Sequence, residues 1–516
     1  MIINLKKNKV NISLLLLTII SALISYFNIK DINYEISSVV IIPYIIIVVI
    51  LLITLIVINR KQEYITNNYI CYVFLILGIA LGAFYIALSP LFSGSDEHNH
   101  YYRIYEIATG SFKTKTNDHV GSKLPASLEK TFIAGSGFNT SIKYHHINNM
   151  LEVPLKKDEK IQYGQEFTSF YSNTALYSPF SYVPHLIGFK IGDVLNLNPY
   201  IIGMLGRVTN LLVYLSLGFL ILNIALKAKM FLLAILLSPN MLQCATTLSA
   251  DAFTNVILLL FISLIFKIKS EKKEVKLREK IYLLILALLI TQCKIVYLPA
   301  IFLIFLLPKN QYKYKMQEKW IYSSILIIIS IIIGLLWMNS TSEVFDISYN
   351  KTALQKDFIF SNIFRFTLIF IKTFYIYGFK YFECLFVGTT MYHSQIEMPI
   401  IISLLYTIIV IISLLQESDK RLLKPKEKYF VGLIMLVIVG LISTAIYIQC
   451  TAQYYSVGNS IIEGIQGRYF VPVILMLPYL LNFKLRTKKI SNCILINTII
   501  SLNLITYIYM IERFIV

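Results

Sequence analysis

The chain has no pair of cysteines at CxxC spacing. Its six cysteines stand apart at positions 71, 244, 293, 384, 450 and 493, which leaves no metal or disulfide framework to read. No HxxxH or HExxH pattern marks a zinc site. No small-residue cleavage site follows the first apolar run, Ile12 to Phe27. Further apolar runs come after it, so it reads as a first transmembrane helix and not as a cleavable signal. The internal repeats typical of transporters are missing as well. Charge is scarce: 15% of residues are Asp, Glu, Lys or Arg, against 57% that are hydrophobic.

What is present is apolar sequence in long runs. Mean hydropathy is +0.68, and runs of about 20 apolar residues recur along the 516 positions. This is the pattern of an all-α, polytopic integral membrane protein. The net charge of +19 does not indicate nucleic acid, because the basic residues cluster in short loops between apolar runs. That distribution marks cytoplasmic loops, whose roles are topology and contact with anionic lipid of the bilayer. The positive-inside rule then gives about 13 transmembrane helices, with the N-terminus inside and the C-terminus outside the cell (cytoplasmic) membrane. Two extra N-terminal helices occupy 1–68, at 11–28 and 38–58. The main membrane domain covers 69–485, and a last helix lies in 486–516. The spans within the main domain fall at 69–89, 201–225, 229–243, 250–267, 281–292, 296–308, 321–338, 398–415, 429–449 and 470–483. External loops cover 90–200, 339–397 and 450–468, and all seven histidines (98, 100, 119, 145, 146, 185 and 393) fall outside. The apolar piece at 178–195 reads as an interfacial helix, since a crossing there would invert every later basic loop.

The most chemically dense stretch follows the span at 69–89. Between Asp96 and Arg103 stand two adjacent carboxylates, Asp96 and Glu97, two imidazoles, His98 and His100, and a guanidinium. In a helix, Asp96, His100 and Arg103 share one face. A carboxylate held at a membrane surface by such neighbours suits a general base or a metal ligand. An ordinary helix cap by Ser95 or Asp96 explains part of the stretch, but a cap needs neither Glu97 nor the histidines. Other ionisable groups fall at the same depth: Arg207, Asp251, Lys294 and Arg468. Alone, each has a simple reading: Arg207 and Lys294 snorkel, Asp251 caps a helix, Arg468 anchors one. Together they suit a substrate with a phosphate and a lipid tail. Arg and Lys would hold the phosphate, and a carboxylate would take a proton from an attacking hydroxyl.

These residues also carry a resemblance. Asp96-Glu97-His98-Asn99-His100-Tyr101-Tyr102-Arg103, with Tyr105 and Gly110, resembles the signature of a widespread family of uncharacterised bacterial membrane proteins. The resemblance continues through Lys123-Leu124-Pro125, Tyr177-Ser178-Pro179, Gly206-Arg207-Val208-Thr209-Asn210 and Ser238-Pro239-Asn240. It extends to Ser249-Ala250-Asp251-Ala252, Lys294-Ile295-Val296-Tyr297-Leu298-Pro299 and Gln466-Gly467-Arg468-Tyr469. In layout that family is similar to the GT-C superfamily of integral-membrane glycosyltransferases, which have interfacial helices in a first large external loop and use polyprenyl-phosphate-linked sugars at the outer face. The resemblance implies Asp96 or Glu97 as base or metal ligand of the first loop, and Asp251 as the second-loop carboxylate. The chain departs from the simplest members in having two spans ahead of the carboxylate loop, and from many in lacking a soluble C-terminal domain.

The expectation is therefore a glycosyltransferase moving a sugar from a polyprenyl-phosphate donor to a cell-envelope glycan or lipid-linked acceptor at the extracytoplasmic face. Asp96, Glu97, His100 and Asp251 are its catalytic candidates. Arg103, Arg207, Lys294 and Arg468 are candidates for the donor phosphate. Asp96 would act on the acceptor directly or, with Glu97, through a divalent cation, Mg or Mn. A glycan polymerase is a near neighbour of this reading. The alternatives from other classes are a transporter or flippase of lipid-linked saccharides and a non-enzymatic envelope assembly protein.

Overall fold

The long apolar runs form helices, and polar caps followed by proline divide them. The computed structural model describes residues 69–114, 123–129, 131, 166–168, 172–271, 273–348, 351–387, 390–391, 396–416, 423–481 and 490–514. The two expected N-terminal spans, and His119, His145, His146 and His393, lie outside these residues.

In chain order, α1 (Ile70–Leu88) leads to the short α2 (Glu97–Ala108). A small antiparallel ribbon pairs β1 (Lys123–Pro125) with β2 (Glu166–Thr168). Then α3 (Val183–Val194) packs along α4 (Pro199–Ile224). Two short helices, α5 (Lys229–Leu236) and α6 (Pro239–Ala245), precede the long α7 (Asp251–Glu271). Next, α8 (Leu277–Cys293) runs into a 12-residue 3₁₀ helix, Ile295–Leu306. After α9 (Lys315–Ser340) come α10 (Thr352–Ser361) and α11 (Ile363–Glu383), which meet at 104°. The last helices are α12 (Ile400–Gln416), α13 (Pro425–Ile446) and α14 (Asn492–Phe514).

Among the described residues, six helices are long and apolar enough to cross a membrane, or seven if the bent α10–α11 pair is one span. The other expected spans are shorter or broken, for local reasons. Within 229–243, Ser238 accepts from the Met241 N–H and Pro239 starts a new helix, so the run splits into α5 and α6. Pro299 lies inside the 3₁₀ helix. Pro472 and Pro478 each begin a single turn within 470–483. The piece at 178–195 contains α3, whose 12 residues reach about 18 Å, too short for a hydrocarbon layer of about 30 Å.

Packing follows a membrane logic. The central α7 is buried nearly all round, against α4, α8 and the 3₁₀ helix. At the rim, α9 exposes Ile321, Ile325, Ile328, Ile332 and Leu335 as an apolar stripe, which only lipid or another apolar surface covers at low cost. The two ends of the bundle differ. At one, Lys269 bonds Glu427 at 2.5 Å and the Leu306 carbonyl at 2.9 Å, Lys280 pairs with Glu318, and Lys319 bonds the Phe305 carbonyl. The far ends of α7 and α8 carry Asp251 and Lys294. There a second apolar cluster (Leu91, Phe92, Tyr101, Ile104, Tyr182, Phe189 and neighbours) supports α2 and α3.

Close approach of α3 to α4 depends on glycine. A Cβ at Gly188 would stand 2.3 Å from the Leu205 carbonyl oxygen, and one at Gly206 would stand 2.7 Å from the Phe189 ring. Small residues let helix backbones meet in this way. Gly188→Ala must push backbone, not a flexible side chain, so a loss of about 1–3 kcal/mol is expected. Thermal unfolding in detergent checks this against Gly378→Ala, where the added methyl meets nothing within 4 Å. Gly188→Ala should melt clearly lower, and equal melting would refute the tight crossing.

Candidate functional site

The site begins where α1 ends. Pro90 and the residues after it turn the chain before α2, and Glu97 opens that helix. Glu97 does not face solvent. Its two oxygens take a fork from Arg207, with Nε to Oε1 and Nη2 to Oε2 both at 2.7 Å. They also accept the N–H groups of Gly94 and Leu248, each at 2.9 Å. Arg207 spends its remaining donors on the carbonyls of Ser89 and Pro90, both at 2.7 Å. Both side chains are buried, at 0% and 1% exposure. One ion pair thus ties the exit of α1, the start of α2, the first half of α4 and the approach to α7.

Asp96, one residue earlier, is different. Its backbone is left-handed, with φ 55° and ψ 18°, a conformation Asp tolerates better than most L-residues. It occupies the N-cap position, yet its side chain makes no cap hydrogen bond. Among the described residues the half-buried carboxylate has no hydrogen bond or ion pair. Its charge acts on His100, Tyr177, Cys450 and Tyr454. Cys450 lies in a π-helical turn, Tyr447–Thr451, that follows α13, and Tyr454 lies just beyond it; such irregularities are common at functional sites.

A second carboxylate organises the cations. Asp251, at the first position of α7, pairs through Oδ1 with Lys294 and through Oδ2 with Arg468 Nε, the latter at 3.1 Å. Aromatic rings wall the cations. Tyr469 lies 4.9 Å from Lys294 Nζ and 5.7 Å from the Arg468 guanidinium, and Tyr177 lies 5.8 Å from Lys294, within cation–π range. His100 completes the wall. Its Nδ1 is 2.7 Å from the Tyr182 hydroxyl, and its ring is 5.7 Å from Tyr177. Burial holds the imidazole down at about 4, against the opposing pull of Asp96 and Asp251, so it is neutral at pH 7. Burial also raises Tyr182 well above the usual phenol range.

Neighbouring contacts hold these groups in place. Ser178 donates to Gln292 at 2.8 Å, and Trp337 donates to the Leu176 carbonyl, fixing both flanks of Tyr177. Tyr297 donates to the Tyr469 carbonyl at 3.0 Å. Thr451 Oγ1 exchanges hydrogen bonds with Glu463, donating to its carbonyl and accepting its N–H, each at 3.0 Å. That strap steadies the loop leading to Arg468. Gly467 must be glycine here, since a Cβ would lie 2.3 Å from the Tyr381 carbonyl oxygen.

Of the expected site residues, the structure brings together Asp251, Lys294 and Arg468, with Asp96 and His100 in electrostatic reach. It gives Glu97, Arg103 and Arg207 other work. Arg103 is buried against Glu106 at 2.6 Å and donates to the carbonyls of Phe112 and Tyr177, so neither it nor Arg207 presents a free fork to a phosphate. The expected Asp96–Glu97 metal pair does not fit. Each oxygen of Glu97 already accepts two protein hydrogen bonds, and among the described residues no three of His, Cys, Asp and Glu group as metal ligands. The roles of Tyr177, Tyr182 and Tyr469 escape sequence reasoning, although Tyr177 and Tyr469 sit inside the quoted motifs, next to Ser178 and Arg468. Asn210 and Asn240, in the same motifs, satisfy the carbonyls at the ends of α6 and α11.

The division of labour between the two carboxylates is measurable. Glu97→Gln leaves Arg207 as a buried charge without its counter-ion, a loss of about 3–5 kcal/mol. The double change Glu97→Gln with Arg207→Met should recover much of it. Asp96→Asn should leave stability within about 0.5 kcal/mol of the parent. Thermal unfolding in detergent reads all three, and a Glu97→Gln protein as stable as the parent would contradict the assignment.

The family model described as "Predicted membrane protein (DUF2142)" matches residues 77–477. Searches of curated proteins and of solved structures found no match. The matched region starts within α1 and takes in Asp96, Asp251, Lys294 and Arg468, and on that match the chain belongs to the DUF2142 family of predicted membrane proteins.

Proposed function

We propose that the protein is a membrane glycosyltransferase that moves a sugar from a polyprenyl-phosphate donor to a cell-envelope glycan or lipid-linked acceptor. The observation that carries this reading is the presence of two aromatic-walled cations, Lys294 and Arg468, and of Asp96, a carboxylate without an ion pair among the described residues, all acting on His100 and Tyr177. The first suits a phosphate and the second suits a proton. The likeness of layout to GT-C enzymes supports the same reading. The site lies at the end of the bundle opposite the basic loops, which by the positive-inside rule is the extracytoplasmic face of the cell membrane.

In this reading the acceptor hydroxyl attacks the anomeric carbon of the sugar. A new carbon–oxygen bond forms there as the bond to the phosphate oxygen breaks, and the polyprenyl phosphate leaves with the electron pair. Asp96 takes the hydroxyl proton. Lys294 and Arg468 stabilise the charge that grows on the phosphate, an effect strengthened by the dry, preorganised surroundings. Neutral His100 and the tyrosines beside it shape the space between.

Asp96→Asn and Lys294→Met, each expressed in cells lacking the native copy, test the reading through glycan composition and lipid-linked sugar pools. Both variants should insert normally, lose one sugar from the glycan and accumulate its lipid-linked donor. A loss of about 100-fold or more in transfer is expected from removing the base. Wild-type glycans from Asp96→Asn would remove the base. A donor pool trapped on the cytoplasmic face would favour a flippase.

A further inference from the structure

A carboxylate, Asp251, stands where the proposed phosphate would bind. We infer that Asp251 is an internal counter-ion for the anion site: it bridges Lys294 and Arg468 when the site is empty, and the substrate phosphate displaces it. The inference rests on the phosphate reading above and adds to it the way the site is emptied and refilled.

Three observations carry it. First, Asp251 offers one oxygen to each cation, the same bridging pattern two phosphate oxygens would adopt. Second, the cations are under-used. Among the described residues the Lys294 ammonium, with three donors, makes one hydrogen bond, to Asp251. The Arg468 Nε is buried, near Asp251 but without a well-aligned hydrogen bond. Buried donors in this state await an acceptor-rich partner. Third, the cations do not depend on Asp251 alone for position. The Tyr469 and Tyr177 rings hold Lys294, and Tyr469 also faces Arg468, so the pair persists when the carboxylate withdraws. The withdrawn carboxylate has somewhere to go. Asp251 opens the 21-residue α7, and the dipole at a helix N-terminus stabilises a negative charge.

Charge accounting gives the exchange a purpose. With Asp251 paired, the three side chains carry one net positive charge, enough to attract a phosphodiester donor, whose phosphate then takes the place of the carboxylate on the two cations. When the sugar leaves, the phosphate becomes a monoester and approaches two negative charges near neutral pH. Lys294 and Arg468 freed from Asp251 match that product. The returning carboxylate then competes with the product and promotes its release. Without it, the product phosphate should stay bound.

The probe is farnesyl phosphate, a short isoprenyl monophosphate, titrated calorimetrically into the purified full chain in detergent, with farnesol as the control for the tail. Asp251→Asn should bind farnesyl phosphate about tenfold or more tightly than the parent, and Lys294→Met about tenfold or more weakly, since each change alters one charge-assisted contact. Because Asp251→Asn leaves two buried cations uncompensated, the double variant Asp251→Asn with Lys294→Met is measured as well; it should bind more tightly than Lys294→Met alone. If Lys294→Met weakens binding but Asp251→Asn does not tighten it, and the double variant matches Lys294→Met, the counter-ion role falls while the phosphate site stands. If farnesyl phosphate binds no better than farnesol to every protein, the phosphate reading falls and the counter-ion role with it.

Discussion

The buried pair of Glu97 and Arg207 is the constraint on which the site depends. Burying two charges is costly, and only good geometry with further hydrogen bonds offsets it. Here the offset is nearly complete: a two-pronged contact, two backbone N–H groups on Glu97 and two backbone carbonyls under Arg207. Those backbone partners place the chemistry. Gly94 lies two residues before Asp96, and Leu248 lies three residues before Asp251. One side chain therefore sets the position of both remaining carboxylates, and it does so by being unavailable for chemistry itself.

That arrangement separates two kinds of charge at one end of the membrane bundle. The pairs Glu97–Arg207 and Arg103–Glu106 are closed and fully buried. The Asp251–Lys294–Arg468 group is open enough to retain exposure of 11–19% in its side chains, is walled by aromatic rings, and carries a surplus positive charge. Asp96 stands nearby, with no hydrogen bond or ion pair among the described residues. Closed pairs give rigidity, and the open groups are those that the proposed transfer needs for an anion and a proton. The account of sugar transfer, and of Asp251 as a counter-ion, rests on this contrast.

Much of this was legible in the sequence, and the rest was hidden for physical reasons. Long apolar runs such as 70–88 and 321–338 announce helices through hydropathy alone. Runs such as 229–243 do not, because a capping serine before a proline costs little hydropathy yet starts a new helix. The depth of Asp251, Lys294 and Arg468 could be read from the ends of spans, and the structure brings all three together. Which of Asp96 and Glu97 was free could not be read, because the two are adjacent and alike. The difference lies in Arg207, 110 residues away, and in a left-handed backbone at Asp96. The same limit misassigned Arg103 and Arg207: a buried arginine and a phosphate-binding arginine look identical until their acceptors are known.

The central claim is that Lys294 and Arg468 hold a phosphate in front of Asp96. The most direct measurement is an electron cryomicroscopy map of the full chain with a bound isoprenyl phosphate. The account predicts phosphate density within hydrogen-bond distance of Lys294 Nζ and the Arg468 guanidinium, with the Asp96 carboxylate facing the same space. Phosphate bound elsewhere, with Asp251 still bridging both cations, would contradict it.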